Sequence, residues 1–354
     1  VPDALRAFAE AIRGAAAEGR TLRLRGGGTK DFYGQSLAGE VLDLRGYAGV
    51  VAYDPTELVI TARCGTALAE IETALAAKGQ MLAFEPPHFG AGATLGGVVA
   101  AGLSGPRRAA AGAVRDFVLG VRMMDGRGDD LAFGGRVMKN VAGYDVSRLM
   151  AGSLGTLGIV LEASLKVLPV PVAEATLRFE LPEGRAIEAV NAWAGKPLPI
   201  SAIAYTDGDL AVRLSGAGAA VRAAREKLGG ELVDTGRAAG FWAGIREQTD
   251  SFFRGDGPLW RLAVPSATPP LALEGRQLVE WNGGLRWLKS SAEARTIRER
   301  ASRAGGHATL FRGGDKSVGV FQPLAPAVAA IHRRLKGEFD PHGVFNRGRM
   351  YADL

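Results

Sequence analysis

Cysteine and histidine are nearly missing, with one and four in 354 residues. The lone Cys64 excludes an internal disulfide, and without a CxxC or Cys/His spacing there is no zinc or iron–sulfur ligand set. A reducing, cytoplasmic setting is the expectation. No stretch of about 18 apolar residues occurs, which excludes a membrane-spanning helix. The opening VPDALRAFAEAIRGAAAEGR places Leu5, Phe8 and Ile12 on one helical face and lacks the unbroken apolar core of a signal peptide. Charge is not gathered into blocks either. The net charge of +6 and pI near 9.6 come from scattered arginines. No RNP, zinc-finger or helix-turn-helix signature accompanies them, so nucleic acid is not an expected partner. A basic chain of this kind suits anionic ligands or an acidic partner subunit. Paired carboxylates, a nucleophile with an adjacent base, internal repeats and a low-complexity linker are all absent.

Glycine, in contrast, is abundant at 50 residues, about twice the usual share of roughly 7%. Codon bias accounts for part of the excess, but the glycines also cluster. Hydrophobic content of 47% and charged content of 23% allow two domains with buried cores. After the first helix, TLRLR at 21–25 alternates as a strand and runs into Gly26-Gly27-Gly28-Thr29. Strands are predicted at 40–44, 50–53 and 58–63, and a helix at 66–78 with Leu68, Ile71, Ala74 and Leu75 inward and Gly79 just after its end. A second glycine-rich segment covers 89–105 and a third covers 152–158; the third leads into an apolar strand at 159–168 that stops at Pro169-Val170-Pro171. Proline cannot donate to a central ladder, so this is the predicted domain boundary. Beyond it, strands at 175–181, 200–205 and 210–214 alternate with helices at 184–194 and 217–228, and 237–254 reads as helix. That texture fits an antiparallel sheet covered by helices. The class is α+β, with domains at 1–171 and 172–330 and a tail, 331–354, that returns to the first domain.

The first cluster fails two familiar nucleotide tests. Position 31 is Asp31 where a Rossmann fingerprint needs glycine, and no GxxxxGK[ST] occurs. What remains is a strand that ends in three glycines, whose successive N–H groups can form an anion-binding concavity with no side chain in a phosphate's way. In ATLGGVVAAGLSG, at 93–105, nearly every side chain is small, as if something other than protein fills the space. Three such clusters at spaced positions imply one long ligand held by several loops. A dinucleotide fits better than a mononucleotide.

These segments carry a resemblance. RGGGT (25–29), ATLGGVVAAGLSG (93–105), RDFVLGV (115–121), KNVAGYD (139–145), GSLGTLGIV (152–160) and FDPHGVFNRGRM (339–350) together resemble the FAD-linked oxidases and D-2-hydroxyacid dehydrogenases, flavoproteins of the p-cresol methylhydroxylase/vanillyl-alcohol oxidase type. PPHFGAGATLGG (86–97) and SGPRRAAAGAVRDFVLG (104–120) are most similar to the FAD-binding subunits of glycolate oxidase complexes. The resemblance implies a FAD-binding domain of two α/β subdomains. It implies that Arg25, Gly26, Gly27, Gly28 and Thr29 hold the FAD pyrophosphate, and that Thr94, Gly96 and Gly97 lie along pyrophosphate and ribityl chain. Ser104 and Gly105 are implied near the flavin ring, Gly155, Gly158 and Ile159 on the adenine and ribityl side, and Asn346 at the isoalloxazine. The implied partners are a larger FAD-containing catalytic subunit, an iron–sulfur subunit and a small 2-hydroxy acid, with peripheral membrane association through those subunits. Members with covalent flavin often place histidine after the first glycine loop; Thr29-Lys30 stands here, so the FAD is expected to be non-covalent.

The resemblance leaves substrate chemistry open. The HxGDGNxH type of motif in the larger subunit's relatives is reduced here to one histidine, His307. Oxidising a 2-hydroxy acid needs a base for the hydroxyl proton and a cation for the carboxylate. His307 is a candidate base, and Arg312 a candidate clamp because a guanidinium offers two parallel donors. A lone histidine is more often structural. Arg286, between Trp281 and Trp287, is the alternative clamp or else a cation packed on indole. His88 can serve a turn or approach the flavin, and His332 and His342 read as structural. The expected activity is oxidation of glycolate or a related 2-hydroxy acid. The alternatives are a non-catalytic assembly or electron-transfer flavin subunit and a free-standing D-lactate or D-2-hydroxyacid dehydrogenase.

Overall fold

Nearly every residue of Ile159–Lys166 and Val59–Arg63 is buried, because these strands are covered on both faces. In a computed structural model that describes residues 2–135 and 145–354, they form the middle of a five-stranded antiparallel sheet. Its order is Val50–Asp54, Val59–Arg63, Ile159–Lys166, Val118–Met124 and Asp130–Gly134. Of the KNVAGYD motif, 139–144 lie outside the described residues. One face of the sheet packs Ile159 and Leu161 on Phe8, Ile12 and Ala15 of the helix Pro2–Glu18; the other meets the short helix Leu95–Ala101. A separate parallel pair joins Leu22–Arg25 to Glu40–Asp43, and Phe345 bridges Leu22 from the far end of the chain. The tail is therefore part of this unit, which comprises Val1–Leu103, Ala113–Pro169 and Pro323–Leu354.

The second unit comprises Ser104–Gly112 and Val170–Gln322. Its boundaries fall at 169/170 and 322/323, and the excursion of Ser104–Gly112 was not readable from sequence. Long-range contacts hold that excursion in place: Arg107 pairs with Glu174, and the Trp281 indole N–H donates to the Gly105 carbonyl at 3.0 Å. An eight-stranded antiparallel sheet runs Glu231–Val233, Ala173–Glu180, Asp209–Gly216, Ile200–Thr206, Arg276–Glu280, Leu285–Lys289, Leu259–Ala263, His307–Arg312. Side chains alternate across it. One face packs Leu177, Ile203, Val212, Leu262 and Leu310 under the helices Glu183–Ala194, Gly218–Leu228 and Ala294–Arg303. The opposite face is mixed: Thr176, Arg213, Glu280 and Thr309 are buried on it beside Leu278, Leu285, Trp287 and Phe311. Trp242, from the helix Thr235–Glu247, covers part of that face by donating to Thr176 Oγ1 at 2.9 Å.

Candidate functional site

The strand Leu22–Arg25 ends where the glycines begin, and the chain turns back at Gly28, whose φ of +72° favours glycine. A β-carbon at Gly27 would sit 1.5 Å from the Gly92 carbonyl oxygen, and one at Gly26 would sit 2.3 Å from Thr94 Oγ1. The first and second glycine clusters thus interlock, backbone against backbone. This corrects the expected reason for the first two glycines: protein, not a phosphate path, occupies the space their side chains would need. Among the described residues, the amides of Gly27, Gly28 and Thr29 have no acceptor in the protein. Three successive unpaired N–H groups at the wall of a cleft are suited to the oxygens of a diphosphate.

The cleft belongs to the first unit and encloses about 800 Å³, counted out to its open mouth. Arg25 through Asp31 form one wall, and Thr94, Gly96, Gly97, Ala100 and Ala101 form another. Gly155, Gly158, Leu154, Val160, Asn346 and Arg349 complete it, with Leu37 and Leu44 at its apolar part. Most of the predicted cofactor residues are therefore gathered in one place. Ile159 is not among them. It points the other way along its strand into the core, fully buried, and Val160 faces the cleft instead. Ser104 and Gly105 do not line it either; they lie in the second unit.

The third cluster is fixed by the tail. Asn346, with φ of +40°, accepts from the Leu24 amide through Oδ1 at 2.9 Å and donates from Nδ2 to the Leu154 carbonyl at 2.6 Å. Both ends of its side chain are thus bonded to backbone on either side of the cleft. At the wall of the cleft it clips the first strand to the third cluster. Behind it, Lys336 is buried and donates to Asp340 Oδ2 at 2.7 Å and to the Thr156 and Phe345 carbonyls at 2.7 and 2.9 Å. Burial lowers the Lys336 pKa, and Asp340 opposes that shift. Sequence reasoning did not single out Arg349. Its buried guanidinium donates to the backbone carbonyls of Asp31, Tyr33 and Gln35 and so pins the chain after the first cluster. Burial brings its pKa down to about 10. The signal was its place in the quoted tail motif, three residues beyond Asn346.

An FAD binding domain family matches residues 1–134. Along its whole length, the chain is 51% identical over 352 residues to glycolate oxidase subunit GlcE of Escherichia coli (strain K12), covering 99% of each. The chain belongs to the glycolate oxidase subunit GlcE family. Glycolate oxidase subunit GlcD of Bacillus subtilis (strain 168) is 35% identical over 128 residues, which are 36% of this chain and 27% of that protein. Among solved structures, an alkyldihydroxyacetonephosphate synthase superposes with a TM-score of 0.67 at 16% identity, covering 96% of this chain and 74% of the other. The fold is thus that of the p-cresol methylhydroxylase/vanillyl-alcohol oxidase type, and the chain is an FAD-binding member of the GlcE family.

In this GlcE-family chain the candidate base His307, the candidate clamp Arg312 and the alternative clamp Arg286 all belong to the second unit. His307 and Arg312 are the two ends of one strand, five residue steps or ~17 Å apart at about 3.4 Å per residue. No small 2-hydroxy acid touches both. Arg312 donates to Gln248 Oε1 at 2.7 Å. Arg286 is 0% exposed. It donates to the Gly283 carbonyl at 2.8 Å and the Thr268 carbonyl at 2.6 Å, and pairs with Glu183 at 3.3 Å. It is a structural brace, because protein acceptors occupy the donors a substrate carboxylate would need. His307 keeps access to solvent, yet surrounding protein and then the charge of Arg261 lower its pKa from the usual imidazole value. His88 is bound to Glu72 at 3.0 Å. Among the described residues no group of three His, Cys, Asp or Glu side chains could hold a metal ion, and no helix is long and apolar enough to cross a membrane.

Proposed function

We propose that this chain is the FAD-binding subunit of a glycolate oxidase-type complex and takes part in oxidising glycolate or a related 2-hydroxy acid to the 2-oxo acid. The end-to-end 51% identity to a glycolate oxidase subunit carries this reading. The interlocked glycine cleft supports the cofactor: the free amides of Gly27, Gly28 and Thr29 receive the diphosphate, and Arg25 and Lys30 supply counter-charge. Thr94, Gly96 and Gly97 follow its length on one wall, and Gly155 and Gly158 on the other. Bound flavin supplies a hydride acceptor. The chain's own residues bind, orient and shield it.

Non-covalent attachment is supported by the lining itself. No histidine, cysteine or tyrosine is among the described residues of the cleft. Cys64 lies outside that lining, 2% exposed, with its thiol pushed up to about 12 by burial and so kept protonated. The partners in this reading are a larger flavin-containing subunit and an iron–sulfur subunit, through which electrons leave and through which a cytoplasmic chain reaches the membrane surface. The deciding experiment is anaerobic addition of glycolate to the flavin-loaded chain. Bleaching by the chain alone supports its own catalysis; bleaching only after the larger subunit is added assigns the chemistry to the complex. No bleaching in either case refutes the proposal.

A further inference from the structure

Arg261 is one of several cations, with Arg178 and Arg213, on the mixed face of the second unit's sheet. Arg261 stands on Leu259–Ala263, paired across the ladder with Thr309, while Ala263 pairs with His307. Arg261 and His307 are therefore diagonal neighbours on one face, at a spacing of about 7–8 Å that long side chains bridge. The Arg261 guanidinium lies 5.3 Å from the centre of the Trp281 ring, and that of Arg108 lies 4.2 Å from the same ring. Among the described residues, Arg261 has no carboxylate within ion-pair distance. The buried carboxylate of the same face, Glu280, accepts from the Trp287 indole at 2.7 Å. Two guanidinium groups are thus gathered on one indole, and one of them lacks an anion.

The backbone that presents this indole is strained. Trp281, Asn282 and Gly283 have φ of +52°, +55° and +99°, and a bulky residue rarely adopts that region. Several bonds impose it. The Trp281 side chain is tied to Gly105, the Gly284 amide donates to the Trp281 carbonyl at 3.0 Å, and the buried Arg286 holds the Gly283 carbonyl from the other face of the sheet. Backbone strain maintained by this many contacts is typical of a position that aims a functional group.

We propose that Arg261, with His307 beside it and Trp281 and Arg108 as its wall, is a carboxylate-binding site for a small 2-hydroxy acid. The guanidinium fork takes both carboxylate oxygens in parallel. The imidazole then faces the carbon next to the carboxylate, where its free nitrogen accepts a hydrogen bond from the 2-hydroxyl. The lowered pKa of His307 keeps that nitrogen unprotonated near neutral pH. This rests on the reading that the chain handles a 2-hydroxy acid, and it replaces Arg312 and Arg286 as the clamp.

The test is calorimetric titration of the full chain with oxalate, a carboxylate that flavin cannot oxidise, for wild type, Arg261→Gln, Arg261→Lys and the surface control Arg295→Gln. FAD content and circular dichroism are measured on each sample. Saturable binding to wild type is expected, weakened about ten- to hundredfold by Arg261→Gln. Arg261→Lys should lie in between, since it keeps the charge and loses the fork; Arg295→Gln should match wild type. Absence of saturable binding to wild type, unaltered affinity in Arg261→Gln, or an equal loss in Arg295→Gln overturns the proposal. A chain that binds oxalate through Arg261 but no FAD would instead refute the cofactor reading and leave this one standing.

Discussion

A single methyl group at Gly27 tests whether the cleft is built by interlocking loops. In Gly27→Ala the new β-carbon would lie 1.5 Å from the Gly92 carbonyl oxygen, whereas real β-carbons essentially never approach within 3.0 Å. The two loops must therefore separate by roughly 1.5 Å, since both partners are backbone and neither can rotate away. Overpacking of this kind costs about 1–3 kcal/mol of stability. The larger effect falls on the cofactor. The same movement displaces the amides of Gly27 to Thr29, and losing two hydrogen bonds to a charged diphosphate, at about 1.5–3 kcal/mol each, weakens Kd by roughly a hundredfold or more. The assay is titration of the refolded, flavin-free chain with FAD, read by quenching of flavin fluorescence, with thermal unfolding alongside. Gly46→Ala is the matched control, because a β-carbon there meets nothing within 4 Å. Wild-type FAD affinity and Tm in Gly27→Ala would refute the interlocked-loop reasoning.

Asn346→Ala removes the acceptor of the Leu24 amide and the donor to the Leu154 carbonyl. It should cost about 2–4 kcal/mol in urea unfolding and loosen FAD; a loss below about 0.5 kcal/mol would contradict the clip. Arg286→Met strands Glu183, whose pKa burial already raises. Destabilisation by about 3–5 kcal/mol is expected, and a near-neutral effect would show that the turn at Trp281 does not need its brace. Burial moves the Cys64 thiol from 9.0 up to about 12. The folded pKa is therefore above the unfolded one, so this stabilisation is complete below about pH 9 and is lost as pH rises toward 12. Tyr47, raised from 10.0 to about 12 by burial and then by its bond to Glu162, acts in the same direction. Cys64→Ala should flatten the decline in stability between about pH 9 and 11; an unchanged slope in urea melts would contradict it.

Local elements were legible where periodicity and local signals agreed. The helix expected at 66–78 is Leu68–Ala76, and the strand expected at 159–168 is Ile159–Lys166. The span 237–254 reads as one helix, but the helix ends at Glu247, Gln248 turns left-handed with φ of +55°, and Asp250 then caps a separate short turn. The helix Leu95–Ala101 was hidden inside a glycine run, because glycine is a poor helix former. Its Gly96 is needed for another reason: a β-carbon there would meet the Cys64 side chain at 2.7 Å. Contacts across long sequence distances were not readable. The clustering of glycines marked the cleft, but nothing local marked Gly92 as the atom Gly27 rests against, or Asn346 as a clip. His307 and Arg312 are the two ends of one strand, and the strand itself keeps them apart. Arg261 sits in LWRLA, a run with no motif, and becomes visible only when the sheet brings it beside His307 and Trp281.

The most direct measurement is a titration of the purified, folded chain with FAD, followed by denaturation and filtration. Saturation at one FAD per chain, with all of the flavin recovered in the filtrate after denaturation, is the expected result. A folded chain that remains colourless and leaves FAD fluorescence unchanged, or one whose flavin stays with the denatured polypeptide, would contradict a dissociable dinucleotide held by peptide amides.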